Sequence, residues 1–224
     1  MGTGDGVKGT ERAKDTVLIH LMHFPVYSLG PGTRVGVWFQ GCTLRCPGCV
    51  TPESWSFDPK TSVPVCGIID RLRDFLATPP YPDGLTISGG EPFDQPDALL
   101  GLLRGALELG VSDVLAYSGY RAEALLGTYP ELALLLSALV DGPFELGNRT
   151  DSVWKGSENQ RLTLLKDEFS ERYAAWVRTP KRKMQLIGMD GSRKLLIGIP
   201  RQEDASRLKN PFSDDCNGGK PPWN

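Results

Sequence analysis

A chain of 224 residues, 40% hydrophobic and 23% charged, is long enough for one domain with a substantial core and has the composition of a soluble globular protein. Its 25 basic and 27 acidic side chains leave a formal net charge of −2, which gives no argument for a nucleic-acid surface. No apolar run approaches the roughly 18–20 residues that span a bilayer; the longest, residues 132–140, contains Ser137. The N-terminus is rich in Gly and charge and lacks the apolar stretch of a secretory signal. Met1-Gly2 opens like a myristoylation site, but Gly6 stands where Ser or Thr is wanted.

In chain order, residues 1–15 read as a disordered N-terminus and residues 16–23 as a first strand. Pro25, Gly30, Pro31 and Gly32 punctuate a loop, and residues 34–40 read as a buried strand that leads into a cysteine-rich loop at 41–49. Ile68, Ile69, Leu72, Phe75 and Leu76 recur at helical spacing, so 65–77 is predicted helical, ended by Pro79, Pro80 and Pro82. Residues 84–88 form a short strand that empties into Gly89-Gly90-Glu91-Pro92. A helix follows at 97–109, with Gly110 as its stop. Residues 112–117 make a third strand, followed by Ser118-Gly119-Tyr120, a helical stretch from Arg121 and a helix at 130–137. Asp141-Gly142 ends the next strand.

Alternating strands and helices predict βαβ units, an α/β fold and a parallel sheet. Each of the motifs lies just after a strand, at the carboxyl ends where such sheets bind ligands. The last third differs: a short helix at 168–178, then a β-hairpin over 183–199 around Asp190-Gly191. The division expected is a disordered 1–15, a core domain at 16–165, a C-terminal extension with the hairpin at 166–200, and a flexible tail at 201–224.

Three of the five cysteines, Cys42, Cys46 and Cys49, lie in the 41–49 loop with spacing C-x3-C-x2-C. Three thiolates on one tight loop can converge on one metal centre. A structural zinc site wants four protein ligands, and a [4Fe–4S] cluster usually takes four cysteines. Three ligands leave a position open for chemistry. Zinc completed by Cys216 or a histidine, or three packed thiols, are the plainer readings. Cys66 and Cys216 have no partner at ligand spacing, and the five do not form a disulfide framework. Thiolate ligands imply a reducing, cytoplasmic setting. Gly89 and Gly90 read as a strand-to-helix turn or as backbone that a ligand approaches closely. His20 and His23 read as structural or surface groups, and Lys181-Arg182-Lys183 as a solvated turn.

C-x3-C-x2-C with Gly89-Gly90-Glu91-Pro92 some forty residues later resembles the radical S-adenosylmethionine (SAM) superfamily. The resemblance implies an incomplete (β/α) barrel in which Cys42, Cys46 and Cys49 hold a [4Fe–4S] cluster and SAM chelates the fourth iron. Reductive cleavage of SAM would then leave a 5′-deoxyadenosyl radical, with the protein supplying geometry and electrostatics. It further implies that Gly89, Gly90, Glu91 and Pro92 line the SAM site, Glu91 beside the methionine ammonium. Ser118, in a strand end resembling those of radical SAM activating proteins, and Asp141 would also serve that site, and Gly48 and Val50 would meet the adenine through backbone.

Cys46-Pro47-Gly48-Cys49 with Trp55 six residues on resembles the activating proteins of anaerobic ribonucleotide reductase. So do Val140-Asp141-Gly142-Pro143-Phe144 and the run from Lys155 to Leu162, Gly-Ser-x-Asn-Gln-Arg being its most specific part. Many radical SAM proteins carry an aromatic residue where Gly48 stands, and in these activators an aromatic residue often follows the last cysteine, where this chain has Val50. The likeness covers 16–165. It implies a radical SAM oxidoreductase that installs a glycyl radical on a protein partner, with an external electron donor such as a flavodoxin; the charge balance and the lack of a long apolar run point to neither nucleic acid nor membrane as partner. Two alternatives are a radical SAM enzyme that modifies a peptide or small molecule, and a non-catalytic metal-binding interaction module.

Overall fold

The computed structural model describes residues 16–180, 184–188 and 194–204. The order of elements is β1 (Thr16–Val26), β2 (Arg34–Phe39), β3 (Ser62–Pro64), α1 (Val65–Leu76), β4 (Gly84–Gly89), α2 (Pro96–Glu108), β5 (Val114–Ser118), α3 (Ala122–Thr128), α4 (Pro130–Leu135), β6 (Ala138–Asp141), β7 (Arg161–Leu164), α5 (Ser170–Val177), β8 (Gln185–Gly188) and β9 (Lys194–Ile197). The expected hairpin is present as the antiparallel pair β8–β9. Its Asp190-Gly191 turn, the basic run at 181–183, residues 1–15 and the tail beyond 204, with Cys216, lie outside the described residues.

Seven strands form one sheet in the order β3-β1-β2-β4-β5-β6-β7. The predicted parallel sheet is its centre: β2, β4, β5 and β6 run parallel. The flanks correct that expectation. β1 pairs antiparallel with both β2 and β3, and β7 pairs antiparallel with β6. A parallel pair needs a crossover of a dozen or more residues, and only residues 27–33 separate β1 from β2. The 142–160 connection between β6 and β7 is long enough but carries no helix. β3 and β7 are the edges of an open sheet, so no closed barrel forms among the described residues.

The central strands are apolar runs buried on both faces, as a covered parallel sheet requires. Val37, Ile87, Ala116 and Leu139 point to one face, where Leu72 of α1 and Leu99, Leu102 and Leu103 of α2 cover them. The alternate residues point to the other. Leu115, Ala138 and Val140 pack there against Tyr173 of α5. On the same face Trp38 and Tyr117 pack against Ile197 of β9. α4 ends two residues before the predicted stop, because Ser137 turns into the sheet: its Oγ donates to the Ser112 carbonyl (2.9 Å) and accepts from the Val114 amide (3.1 Å). Among the described residues no helix is long and apolar enough to cross a membrane.

Candidate cofactor site

The parallel strands β2, β4 and β5 end side by side, and their following loops make the site. β2 delivers the chain into the cysteine loop. Its pairing with β4 continues past both strands: Gly90 N–H donates to the Phe39 carbonyl (2.8 Å) and Glu91 N–H to the Gly41 carbonyl (2.8 Å). This contact is close enough to require glycine. A Cβ at Gly89, where φ is +107°, would lie 2.3 Å from the Phe39 nitrogen, and one at Gly90 would lie 2.1 Å from the Gly41 oxygen.

The cysteine loop is held on two sides. Residues 51–56 fold back beneath it, so that Gly41 N–H donates to the Ser54 carbonyl (2.7 Å) and Cys42 N–H to the Trp55 carbonyl (3.0 Å). On the other side Asp94, in the turn after Pro92, accepts from Thr43 N–H (2.7 Å), Thr43 Oγ1 (3.1 Å) and the Tyr120 hydroxyl (2.7 Å). One carboxylate thus ties the loops after β2, β4 and β5 together. Burial and the Asp94 carboxylate push the Tyr120 phenol up to about 12. Sequence reasoning passes over Asp94, which looks like an ordinary turn aspartate. We expect Asp94→Asn to weaken this clamp by about 1.5–3 kcal/mol, the range for hydrogen bonds to a charged group. Hydrogen exchange at the Thr43 amide would quicken, and an unchanged rate would refute the clamp.

Cys42, Cys46 and Cys49 line one cavity of about 200 Å³ together with Ser88, Gly89, Gly90, Glu91, Ser118 and Gly119. Burial pushes the Cys42 and Cys46 thiols up, so ligation there must displace protons. Cys66 is exposed on α1 and is not among the residues lining the cavity, and none of the described cysteines forms a disulfide. Three thiols line one cavity with no fourth described cysteine, and among the described residues no three Cys, His, Asp or Glu side chains are placed to hold a single metal ion, so the three thiols suit a larger group that takes three protein ligands.

Glu91 is 1% exposed. Its Oε1 accepts from Ser118 Oγ (2.9 Å) and Phe93 N–H (3.1 Å), and its Oε2 from Gly119 N–H (2.8 Å). Burial raises its pKa to about 7, against the opposing effect of these donors. The carboxylate therefore joins the end of β4 to the end of β5 while lining the cavity.

Gly48 and Val50 line the cavity as well, Val50 on its exposed rim, and Leu146 packs over Gly48. Pro92 and Asp141 are not among the lining residues. Asp141 follows the alternation of β6 and shares the helix-covered face with Leu139. Its carboxylate accepts from Arg161 (2.8 Å) and from the Ala122 amide that opens α3 (3.2 Å). Gly142, the next residue, reaches the cavity instead.

The polar run at 155–161 staples the loop after β6. Gln160 donates to the Gly142 carbonyl (2.9 Å) and accepts from Gly156 N–H (2.8 Å), and Asn159 donates to the Pro143 carbonyl (2.7 Å). This places Phe144 and Leu146 on the cavity wall. His20 pairs with Gln40 (3.0 Å) behind the cysteine loop. Residues 199, 200 and 202 complete the wall, and nothing in their local sequence announces them.

The 4Fe-4S single cluster domain model matches residues 28–163. The chain is 33% identical over 138 residues to the anaerobic ribonucleoside-triphosphate reductase-activating protein of Escherichia coli (strain K12), covering 58% of this chain and 88% of the relative. It is 32% identical over 155 residues to the protein of the same name from Haemophilus influenzae, covering 66% of this chain and 98% of the relative. It is 36% identical over 95 residues to the pyruvate formate-lyase-activating enzyme of Clostridium pasteurianum, covering 41% of this chain and 39% of the relative. The matched span contains the cysteine loop, Gly89-Gly90-Glu91 and the stapled loop after β6, and by that span the chain belongs to the 4Fe-4S single cluster domain family of radical SAM enzymes.

Proposed function

We propose that this radical SAM enzyme is an activase that generates a glycyl radical on a protein partner such as an anaerobic ribonucleotide reductase. One observation carries the reading: three thiols, a Gly-Gly-Glu turn and the Ser118-Gly119 strand end line a single cavity at the carboxyl ends of parallel strands. The names of the relatives support the partner class. In this reading Cys42, Cys46 and Cys49 hold a [4Fe–4S] cluster. The open sheet, covered by α1–α4 on one face and by α5 and the β8–β9 hairpin on the other, stands in place of the incomplete barrel.

A [4Fe–4S] cluster held by Cys42, Cys46 and Cys49, once reduced by a donor such as a flavodoxin, would supply the electron for reductive cleavage of SAM and so the radical chemistry that takes a hydrogen atom from the partner. The chain's own residues bind and orient. Gly89 and Gly90 offer backbone that no side chain shields. Glu91 brings a carboxylate to the methionine ammonium while fixing Ser118 and Gly119. Gly48 and Val50 present backbone to the adenine. Pro92 and Asp141 act from behind the wall, Pro92 by shaping the turn and Asp141 by seating α3 against β6.

Leu44, Val50, Trp55, Phe144 and Leu146 give the cavity an apolar wall that keeps water from a reactive carbon radical. Among the described residues that line it there is no Lys, Arg or His. That favours a neutral substrate such as peptide backbone over a phosphorylated metabolite, which would want a cationic clamp. Thiolate ligands suit the reducing cytoplasm.

The test is anaerobic. The chain is reconstituted with iron and sulfide, given SAM and dithionite, and assayed for 5′-deoxyadenosine, with Cys46→Ala as control. We expect product from the wild type and a loss of both iron and product in the variant. A full, reducible cluster that yields no 5′-deoxyadenosine, alone or with an anaerobic ribonucleotide reductase added, would sink the enzymatic reading in favour of a binding module. Zinc in place of iron would sink it as well.

A further inference from the structure

The family match ends at residue 163, yet the cavity wall does not. Ile199, Pro200 and Gln202 line it, and they lie beyond β9 in the C-terminal part of the chain. Two anchors hold this segment. At its start Ile197 is 2% exposed and packs with Val26 and Leu29, against Trp38 and Tyr117 on the face that carries no helix from the α1–α4 layer. The partner strand of the hairpin is tied to the same place: Gln185 accepts from Tyr27 N–H (2.7 Å) and donates to the Pro25 carbonyl (3.0 Å).

The second anchor is Gln202. Its Oε1 accepts from Gly147 N–H (2.8 Å), and its Nε2 donates to the carbonyls of Glu145 (3.1 Å), Gly156 (3.3 Å) and Asn148 (3.4 Å). One amide side chain thus engages backbone at four residues of the stapled loop after β6. The segment runs from the β1–β2 side of the sheet to the loop after β6 and contributes to the cavity wall on the way. Gly198, at φ +136°, makes the turn off β9 that starts this run.

We propose that residues 198–202 are a strap across the substrate side of the cavity, and that Gln202 is its latch, a specificity-determining residue that limits what can reach the cluster. The proposal rests on reading the cavity as the cluster site. A protein substrate must present a narrow segment past this strap, or release it. Release breaks one set of side-chain hydrogen bonds and leaves both anchored elements, the hairpin and the stapled loop, folded.

The experiment uses the full chain, reconstituted with iron and sulfide, as wild type, Gln202→Ala and Gln202→Glu. The first arm is hydrogen exchange at the Gly147 amide. We expect protection in the wild type, its loss in Gln202→Ala, and partial protection in Gln202→Glu, which keeps an acceptor oxygen but no N–H donors. The second arm follows bleaching of the cluster absorbance by a bulky iron chelator, bathophenanthroline disulfonate. We expect bleaching several-fold faster in Gln202→Ala, with Gln202→Glu between, at equal initial iron per chain. Equal bleaching in all three, even with Gly147 exposed, would reduce Gln202 to a brace and overturn the strap as a gate. Unchanged exchange at Gly147 would overturn the latch. A wild type that takes up no iron would sink the cluster reading instead, and the exchange arm would still decide the latch.

Discussion

Asp113→Ala should lower the unfolding free energy by about 3–5 kcal/mol, the range for removing one partner of a buried ion pair. At this chain length that is a fall of roughly 6–20 °C in the thermal midpoint. Arg34 is fully buried, and Asp113 is 1% exposed by side chain. Arg34 Nη1 donates to Asp113 Oδ2 at 2.6 Å, and Arg34 also donates to Thr86 Oγ1 (3.1 Å) and the Leu85 carbonyl (2.7 Å).

The same carboxylate accepts from the Tyr173 hydroxyl (2.7 Å) and faces Arg172 at 3.4 Å, so it also docks α5 onto the sheet. Burial pushes the Tyr173 phenol well above its ordinary range, so the hydroxyl stays a donor. Without Asp113 a guanidinium remains in the interior with neutral acceptors only. Pairing Asp113→Leu with Arg34→Met should recover much of the loss, because it removes both charges together. Differential scanning calorimetry decides. A midpoint for Asp113→Ala within a couple of degrees of wild type would mean that water reaches Arg34 and that the pair is not what joins α5 to the sheet.

The second large effect is expected at Gly90. A Cβ there would sit 2.1 Å from the Gly41 carbonyl oxygen and 3.0 Å from that of Ser54, and neither backbone is free to retreat. Gly41 is tied to Ser54 by its own N–H, and the Glu91 amide donates to the Gly41 carbonyl. Gly90→Ala must therefore push the Gly-Gly-Glu turn away from the cysteine loop. We expect a loss on the order of 3 kcal/mol, the upper part of the usual range for overpacking, together with poor iron uptake.

Gly110→Ala is the control. Gly110 sits at φ +86°, and a methyl group there would meet nothing within 4 Å, so the substitution carries only the left-handed backbone penalty of about 1–2 kcal/mol. If Gly90→Ala unfolds no more easily than Gly110→Ala and takes up iron like wild type, the two loops are not in the contact described.

Much of this is legible in the sequence, and the reason is range. The cysteine spacing, the glycine turn and the apolar period of 65–77 are properties of a few consecutive residues. Local geometry turns them directly into a ligand loop, a close-approach turn and an amphipathic helix. The alternation of strands and helices likewise announces the parallel centre of the sheet and the end of it that holds the site.

What only the tertiary structure decided depends on partners far away in sequence. Asp141 looks like a site residue because it ends a strand, but the two-residue period of β6 turns its carboxylate toward α3 and Arg161. Asp94 looks like a turn residue until Thr43 and Tyr120, 51 and 26 positions away, converge on it. The direction of β1 and β7 follows from the connections beside them. Gln202 meets the Gly147 amide across 55 residues, and no pattern in either segment encodes that contact. The chain spells out its chemistry locally, whereas the walls around that chemistry come from packing, because a side chain's partner across the fold is set by which faces bury together.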